Sequence, residues 1–153
     1  MRKLELRIPP AAIALAAAVL MWIAARALPS LTFPVPGREP LALTFVLAGL
    51  LTAAAGVFEF HRARTTVNPL NPGAASALVV NGAYRLTRNP MYLGFAFMLL
   101  GLAIVLSNLP AALPVPAYVA YMNRFQVLPE ERALRALFGT EFEAYAMRAR
   151  RWL

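Results

Sequence analysis

The chain has 153 residues, enough for one domain; 60% are hydrophobic and only 14% are charged. A soluble domain is typically about 45–50% apolar and roughly a quarter charged, so this balance points away from an ordinary water-soluble fold and toward a membrane protein. With no cysteine, disulfides and a thiol nucleophile are excluded, and with no aspartate and His61 as the single histidine the composition argues against a His-rich or carboxylate-cluster metal site. The net charge of +8 sits on basic residues that flank apolar runs, so it is read as charge facing anionic lipid and not nucleic acid.

Residues 1–7 are short and basic, with Arg2, Lys3 and Arg7. The apolar run over 8–28 has the roughly 20 residues needed to cross a bilayer core of about 30 Å. It is long for a cleaved signal peptide, and more spans follow. A proline-rich loop over 29–40 leads to a second span over 41–60, which ends abruptly in Glu59, His61, Arg62 and Arg64. A polar loop over 61–90 follows, with turn signals at Asn68-Pro69, Asn71-Pro72-Gly73 and Asn81-Gly82. A polar loop of that length is often functional.

Third and fourth spans are expected over 91–106 and 111–127. Ser107 to Pro116 joins them as a tight helical hairpin, and both are short for a full crossing. Pro129, Glu130 and Glu131 read as a helix start, because proline suits the first turn and carboxylates suit the positive end of the helix dipole. Gly139 ends that helix, and Thr140 with Glu143 is a capping box for another, giving C-terminal helices over 129–150. The expected fold is an all-α integral membrane protein of one domain, with about four transmembrane helices and a C-terminal cytoplasmic helical segment. Counting Lys and Arg under that topology puts thirteen on the side of both termini and only Arg26 and Arg38 on the other. The positive-inside bias makes the termini and the 61–90 loop cytoplasmic, in what is expected to be a bacterial inner membrane.

Two polar clusters then fall at the cytoplasmic ends of the third and fourth spans. One is Tyr84, Arg85, Arg88, Asn89 and Tyr92; the other is Arg124, Gln126, Glu130 and Glu131. Carboxylates hold an ammonium, arginines or free amides hold a carboxylate, and aromatic walls cover a ring. Such a site suits a zwitterionic ligand with a flat ring. The plain structural alternative is that the arginines are interfacial anchors and the glutamates only a helix start. Asn89 can cap the third span and Pro90 can pre-set its first turn, leaving free amides for an anion.

The run from Ser76 through Asn81, Gly82, Tyr84, Arg85 and Arg88 to Asn89-Pro90-Met91-Tyr92 carries a further signal, together with Pro129-Glu130-Glu131 and the stretch Phe138-Gly139-Thr140-Glu141-Phe142-Glu143-Ala144-Tyr145. It resembles the isoprenylcysteine carboxyl methyltransferase family, in a short bacterial form, and shares the pattern of phospholipid N-methyltransferases. The resemblance covers about 65–153. It implies a membrane methyltransferase that uses S-adenosyl-L-methionine in a cytosolic-side pocket and acts on a hydrophobic or lipid-like acceptor. By motif position the cofactor contacts are Ser76, Ala77, Leu78, Val79, Tyr84, Asn89, Pro90, Met91, Tyr92, Glu130 and Glu131. Glu130 would hold the methionyl ammonium, and amides near Pro90 to Tyr92 its carboxylate. Arg124, Gln126 and Arg88 are candidates for positioning the acceptor, and no catalytic base is assigned. Eukaryotic members have His where this chain has Ser76 and Asn89, and Arg near Gln126. The acceptor atom, and whether prenylcysteine is a substrate, therefore stay open, as does the oligomeric state. Two other readings stay beside this one: a membrane reductase of the sterol type, and a non-catalytic scaffold that binds lipid headgroups.

Overall fold

A computed structural model describes residues 5–65, 68 and 70–153. Arg2, Lys3 and the Pro69 of one turn signal lie outside the described residues. The described residues form helices and no strand, with two isolated bridges, Thr32 to Asn108 and Thr87 to Arg150.

Helix α1, Pro10–Ala27, starts on a proline at a position whose amide would have no intrahelical acceptor. Helix α2, Arg38–Arg62, starts after Gly37, whose φ of 69° suits glycine. By length and composition both could cross a membrane. Their outer faces carry bare apolar side chains, such as Leu15, Leu20 and Trp22 on α1 and Leu43, Leu51 and Phe58 on α2. A helix that turns such residues away from the protein core has the pattern of a lipid-facing span.

Helix α3, Pro90–Leu106, is the expected third span and is the centre of the bundle. Its main partner is α2. Glycines seven residues apart on each helix, Gly49 and Gly56 on α2 and Gly94 and Gly101 on α3, bring the backbones together. A Cβ at Gly94 would lie 2.5 Å from the Gly49 carbonyl oxygen, and one at Gly101 would lie 2.9 Å from that of Ala42. Small residues allow this approach, which dispersion then rewards along the whole seam. Gly94→Val is expected to cost at least about 1–3 kcal/mol through overpacking. Thermal unfolding in detergent checks this, and an unchanged midpoint would contradict the close seam.

The turn after α3 is fixed by polar side chains. Ser107 sits at φ 47°. Asn108 accepts from the Ala111 amide at 3.2 Å and donates to Leu28 O at 2.8 Å and Thr32 Oγ1 at 3.1 Å. These bonds tie the loop after α1 to the turn after α3.

The expected fourth span over 111–127 is divided. Short helix α4, Leu109–Ala112, is followed by α5, Pro114–Met122, and a π-helical turn, Asn123–Val127. The chain then continues without a break into α6, Leu128–Arg148. Helix α6 begins with Pro129, Glu130 and Glu131 in its first turn, as expected, but the π-turn runs into it, so no loop separates it from the helix before. Proline has no amide hydrogen, and its ring crowds the carbonyl four residues back. The π-turn takes up that conflict, and the Phe125 carbonyl accepts instead from the Leu6 amide at 3.1 Å. The expected break at Gly139 is a kink, where Gly139 takes φ 49° and ψ −123°. The end of α6 folds back beneath the start of α3.

Candidate functional site

The site lies where the start of α3, the start and end of α6 and the connection after α2 converge. Its base is Glu130, on the first turn of α6. Glu130 Oε1 accepts from Gln126 Nε2 at 2.8 Å and from the Tyr92 hydroxyl in a short hydrogen bond. Burial is the main force on its carboxyl and raises it to about 7, helped by the charge of Glu131 and opposed by the bonds from Tyr92 and Gln126.

Around Glu130 the cavity is walled by Phe60, Leu78, Val79, Tyr84, Met91, Leu134, Phe142 and Tyr145. Phe60 meets the Tyr84 ring edge-on at 5.5 Å between centroids. The Tyr145 hydroxyl donates to Tyr84 O at 2.8 Å. Burial pushes the Tyr84 and Tyr145 phenols above their usual range, so both remain neutral at physiological pH and neither is a base. The first turn of α3 leaves the Met91 and Tyr92 amides without intrahelical acceptors. A carboxyl, the first turn of α3 and an aromatic wall thus line one space.

A second polar system closes the site from below. Glu131, next to Glu130, points away into two arginines. Arg88 donates to Glu131 Oε1 from Nη2 at 2.8 Å and from Nε at 3.2 Å, and Arg151 Nη2 donates to Oε2 at 2.7 Å. Burial alone would raise Glu131, but Arg151 and Arg88 outweigh it and hold its carboxyl below the usual range. Arg88 Nη1 also donates to Ala146 O at 2.9 Å and Ala149 O at 2.5 Å. The Arg88 amide donates to Arg150 O at 2.8 Å, while Thr87 Oγ1 and Asn89 Nδ2 donate to Arg151 O at 3.2 and 2.8 Å. The chain end is thereby bound to the loop that precedes α3.

Of the residues expected to contact a cofactor, Ala77, Leu78, Val79, Tyr84, Asn89, Met91, Tyr92, Glu130 and Glu131 line this cavity. Ser76 and Pro90 do not. The Ser76 hydroxyl and amide bond Thr65 Oγ1, and Pro90 packs under α2 at Gly56. Asn89 is at the cap position of α3, but its side chain goes to Arg151 O and makes no cap bond. The three acceptor-positioning candidates separate. Arg88 is at the cavity, yet its guanidinium is committed to Glu131 and two carbonyls. Gln126 is buried behind Glu130. Arg124 faces outward and binds Glu5 Oε1 at 2.9 Å, so the expected cluster of Arg124 with Gln126, Glu130 and Glu131 does not form as one group. The sequence reading missed Phe60, Leu134, Phe142 and Tyr145 as walls, along with Asn68, Pro72 and Ala75. The apolar spacing on α6 was the available signal for three of them.

The donor set fits S-adenosylmethionine: a buried carboxylate for an ammonium, free amides for a carboxylate, and aromatic and aliphatic walls for a ring. The cavity volume is about 90 Å³. Sites for drug-sized ligands run to about 300–1,000 Å³, so a ligand of that size requires the cavity to widen.

An all-helical bundle with lipid-type outer faces and a cavity holding a carboxyl at one end has the character of a membrane protein. The sequence of that bundle places it further: a family model described as phospholipid methyltransferase matches residues 39–141, and the chain belongs to that family. It is 31% identical over 111 residues to the probable protein-S-isoprenylcysteine O-methyltransferase of Oryza sativa subsp. indica, covering 71% of this chain and 56% of that protein. To protein-S-isoprenylcysteine O-methyltransferase A of Arabidopsis thaliana it is 30% identical over 105 residues, 68% of this chain and 53% of that one. An uncharacterized protein of Haemophilus influenzae is 38% identical over 63 residues, 41% of this chain and all of that protein. The chain spans a little over half the length of the plant relatives. The resemblance read from the motifs therefore stands. No solved structure matches.

Proposed function

We propose that this chain is an integral membrane methyltransferase that takes its methyl group from S-adenosylmethionine and passes it to a hydrophobic or lipid-like acceptor. The observation that carries this reading is the Glu130 carboxyl, bonded to Tyr92 and Gln126 in a cavity lined by the first turn of α3 and aromatic walls, in a chain of this family. The membrane topology that fits it has four spans: α1, α2, α3, and α4–α5 with the π-turn. Both termini and the cavity then lie on the cytoplasmic side of a bacterial inner membrane.

When bound, the cofactor supplies a methyl group already activated by a positive sulfur. The residues have positioning to do. Glu130, oriented by Tyr92 and Gln126, would hold the methionyl ammonium, and the Met91 and Tyr92 amides would hold the carboxylate. Phe60, Tyr84 and Leu78 would wall the ring and keep water out. The chain's own part would be to hold the acceptor's lone pair in line with that methyl group. A carboxylate acceptor needs no base, and an amine sheds its proton to water. The rate gain is therefore placement in line, with water kept out.

Titration calorimetry of the purified protein with S-adenosylmethionine tests the reading. Binding is expected, with slower amide hydrogen exchange over 70–79, which lines the cavity. Absence of heat at millimolar cofactor would overturn it. Comparison of lipid extracts from deletion and wild-type cells for a methyl mass difference identifies the acceptor.

A further inference from the structure

A second void, a slot of about 520 Å³, lies between α1 and the corner formed by α4 and α5. Ile13, Ala17 and Leu20 form one wall, and Leu113, Ala117 and Tyr121 the other. No charged residue lines it. Along α1 it extends from Ile13 to Ala24, about 16 Å of helix. The alanines make it recessed, so it differs from the bare convex faces of α1 and α2.

One end of the slot is charged. Arg124 follows Tyr121 by three residues, in the π-turn that continues α5. Arg124 and, on α6, Arg132 both bind the carboxylate of Glu5, which lies just ahead of α1. The guanidinium of Arg124 also lies 5.3 Å from the centre of the Phe125 ring. An apolar slot therefore ends in two half-exposed arginines that share one carboxylate of the chain itself. The inner wall meets the cavity: Tyr118 lines the slot, its hydroxyl donates to Tyr92 O at 3.3 Å, and Tyr92 is bonded to Glu130.

We propose that this slot holds the apolar chain of an amphiphile whose anionic head displaces Glu5 from Arg124 and Arg132. The head chemistry is an oxyanion, carboxylate or phosphate, that can take the same guanidinium bonds. Burial of the chain favours the ligand over a tethered glutamate that has no tail to bury. That the amphiphile is the acceptor, or carries it, rests on the methyltransferase reading; the binding itself does not.

The test uses the full chain in phosphatidylcholine nanodiscs and three photoreactive diazirine probes of equal chain length: a fatty acid, an alkyl phosphate and an alcohol. Crosslinked peptides are located by mass spectrometry. At least one anionic probe is expected to label α1 and α5 about fivefold or more above the alcohol, and which one labels distinguishes the two heads. Glu5→Gln should raise that labelling, and Arg124→Gln with Arg132→Gln should remove the preference for the anion. Ala16 and Ala117 are exposed toward the slot. Ala16→Phe and Ala117→Trp should each cut labelling several-fold with the thermal midpoint retained, and two variants guard against one that fails to fold. Equal labelling by the alcohol, or labelling spread over α1 and α2 that ignores both filling variants, overturns the proposal. Calorimetry with S-adenosylmethionine runs beside it. Lost cofactor binding with intact labelling counts against the methyltransferase reading alone, and the reverse counts against the slot alone.

Discussion

Glu130→Gln is expected to weaken S-adenosylmethionine binding by about 10- to 100-fold. A hydrogen bond to a charged group is worth about 1.5–3 kcal/mol, and each 1.4 kcal/mol is a factor of ten. Glutamine keeps the shape and can still meet Tyr92, so the loss reports the charge. The pH dependence sharpens the test. Burial holds the Glu130 carboxyl near 7, and only its ionised form attracts an ammonium. The dissociation constant should therefore rise by up to about tenfold for each pH unit below 7 and level off above it. In Glu130→Gln the profile should be flat.

The sign is opposite for the ligand-free protein. A carboxyl raised above its unfolded value of about 4.3 favours folding while it is protonated. That contribution is lost as pH rises through about 7. Cofactor should thus stabilise the protein most on the alkaline side. Calorimetric titration from pH 5.5 to 8.5, with thermal melts of both forms, measures both trends. A wild-type affinity independent of pH would sink the assignment of Glu130.

Arg88→Ala is expected to cost about 3–5 kcal/mol of stability, since removing one partner of a buried ion pair strands the other. Glu131 would keep only Arg151, and the Ala146 and Ala149 carbonyls would lose a shared donor. The measurement is the thermal midpoint in detergent, read with proteolysis of the chain end. A midpoint within a degree of wild type would mean that the network contributes nothing. Glu131 is held below its usual range, so its contribution is present at neutral pH and declines as acid protonates it.

The helices α1, α2 and α3 were legible because a long apolar run leaves few alternatives to a helix. The seam between α2 and α3 was not. Gly49, Gly56, Gly94 and Gly101 acquire meaning only when the two helices are set side by side. The absence of a loop before Pro129 was hidden for a related reason. The local preference of proline for a first turn is real, but the π-turn before it lets the helix continue. Motif position brought Tyr84, Tyr92 and Glu130 to one cavity, yet it could not separate Arg124 from Gln126. Arg124 is claimed by Glu5, 119 residues earlier, and Arg88 by the chain end. Long-range electrostatic pairings of this kind leave no trace in local sequence.

The π-turn at Asn123–Val127 also acts as an indexing device. One extra residue per turn shifts the angular phase of everything downstream by about 100°, the rotation of one helical position. Two adjacent glutamates on an ordinary helix point in directions set wholly by the helix before them. Here the phase step decouples α6 from α5. It aims Glu130 at the cavity and Glu131 at the arginines, while Tyr118 and Tyr121 keep their own alignment toward α1. The Glu130 cavity and the apolar slot are thereby set at independent angles on one helical run.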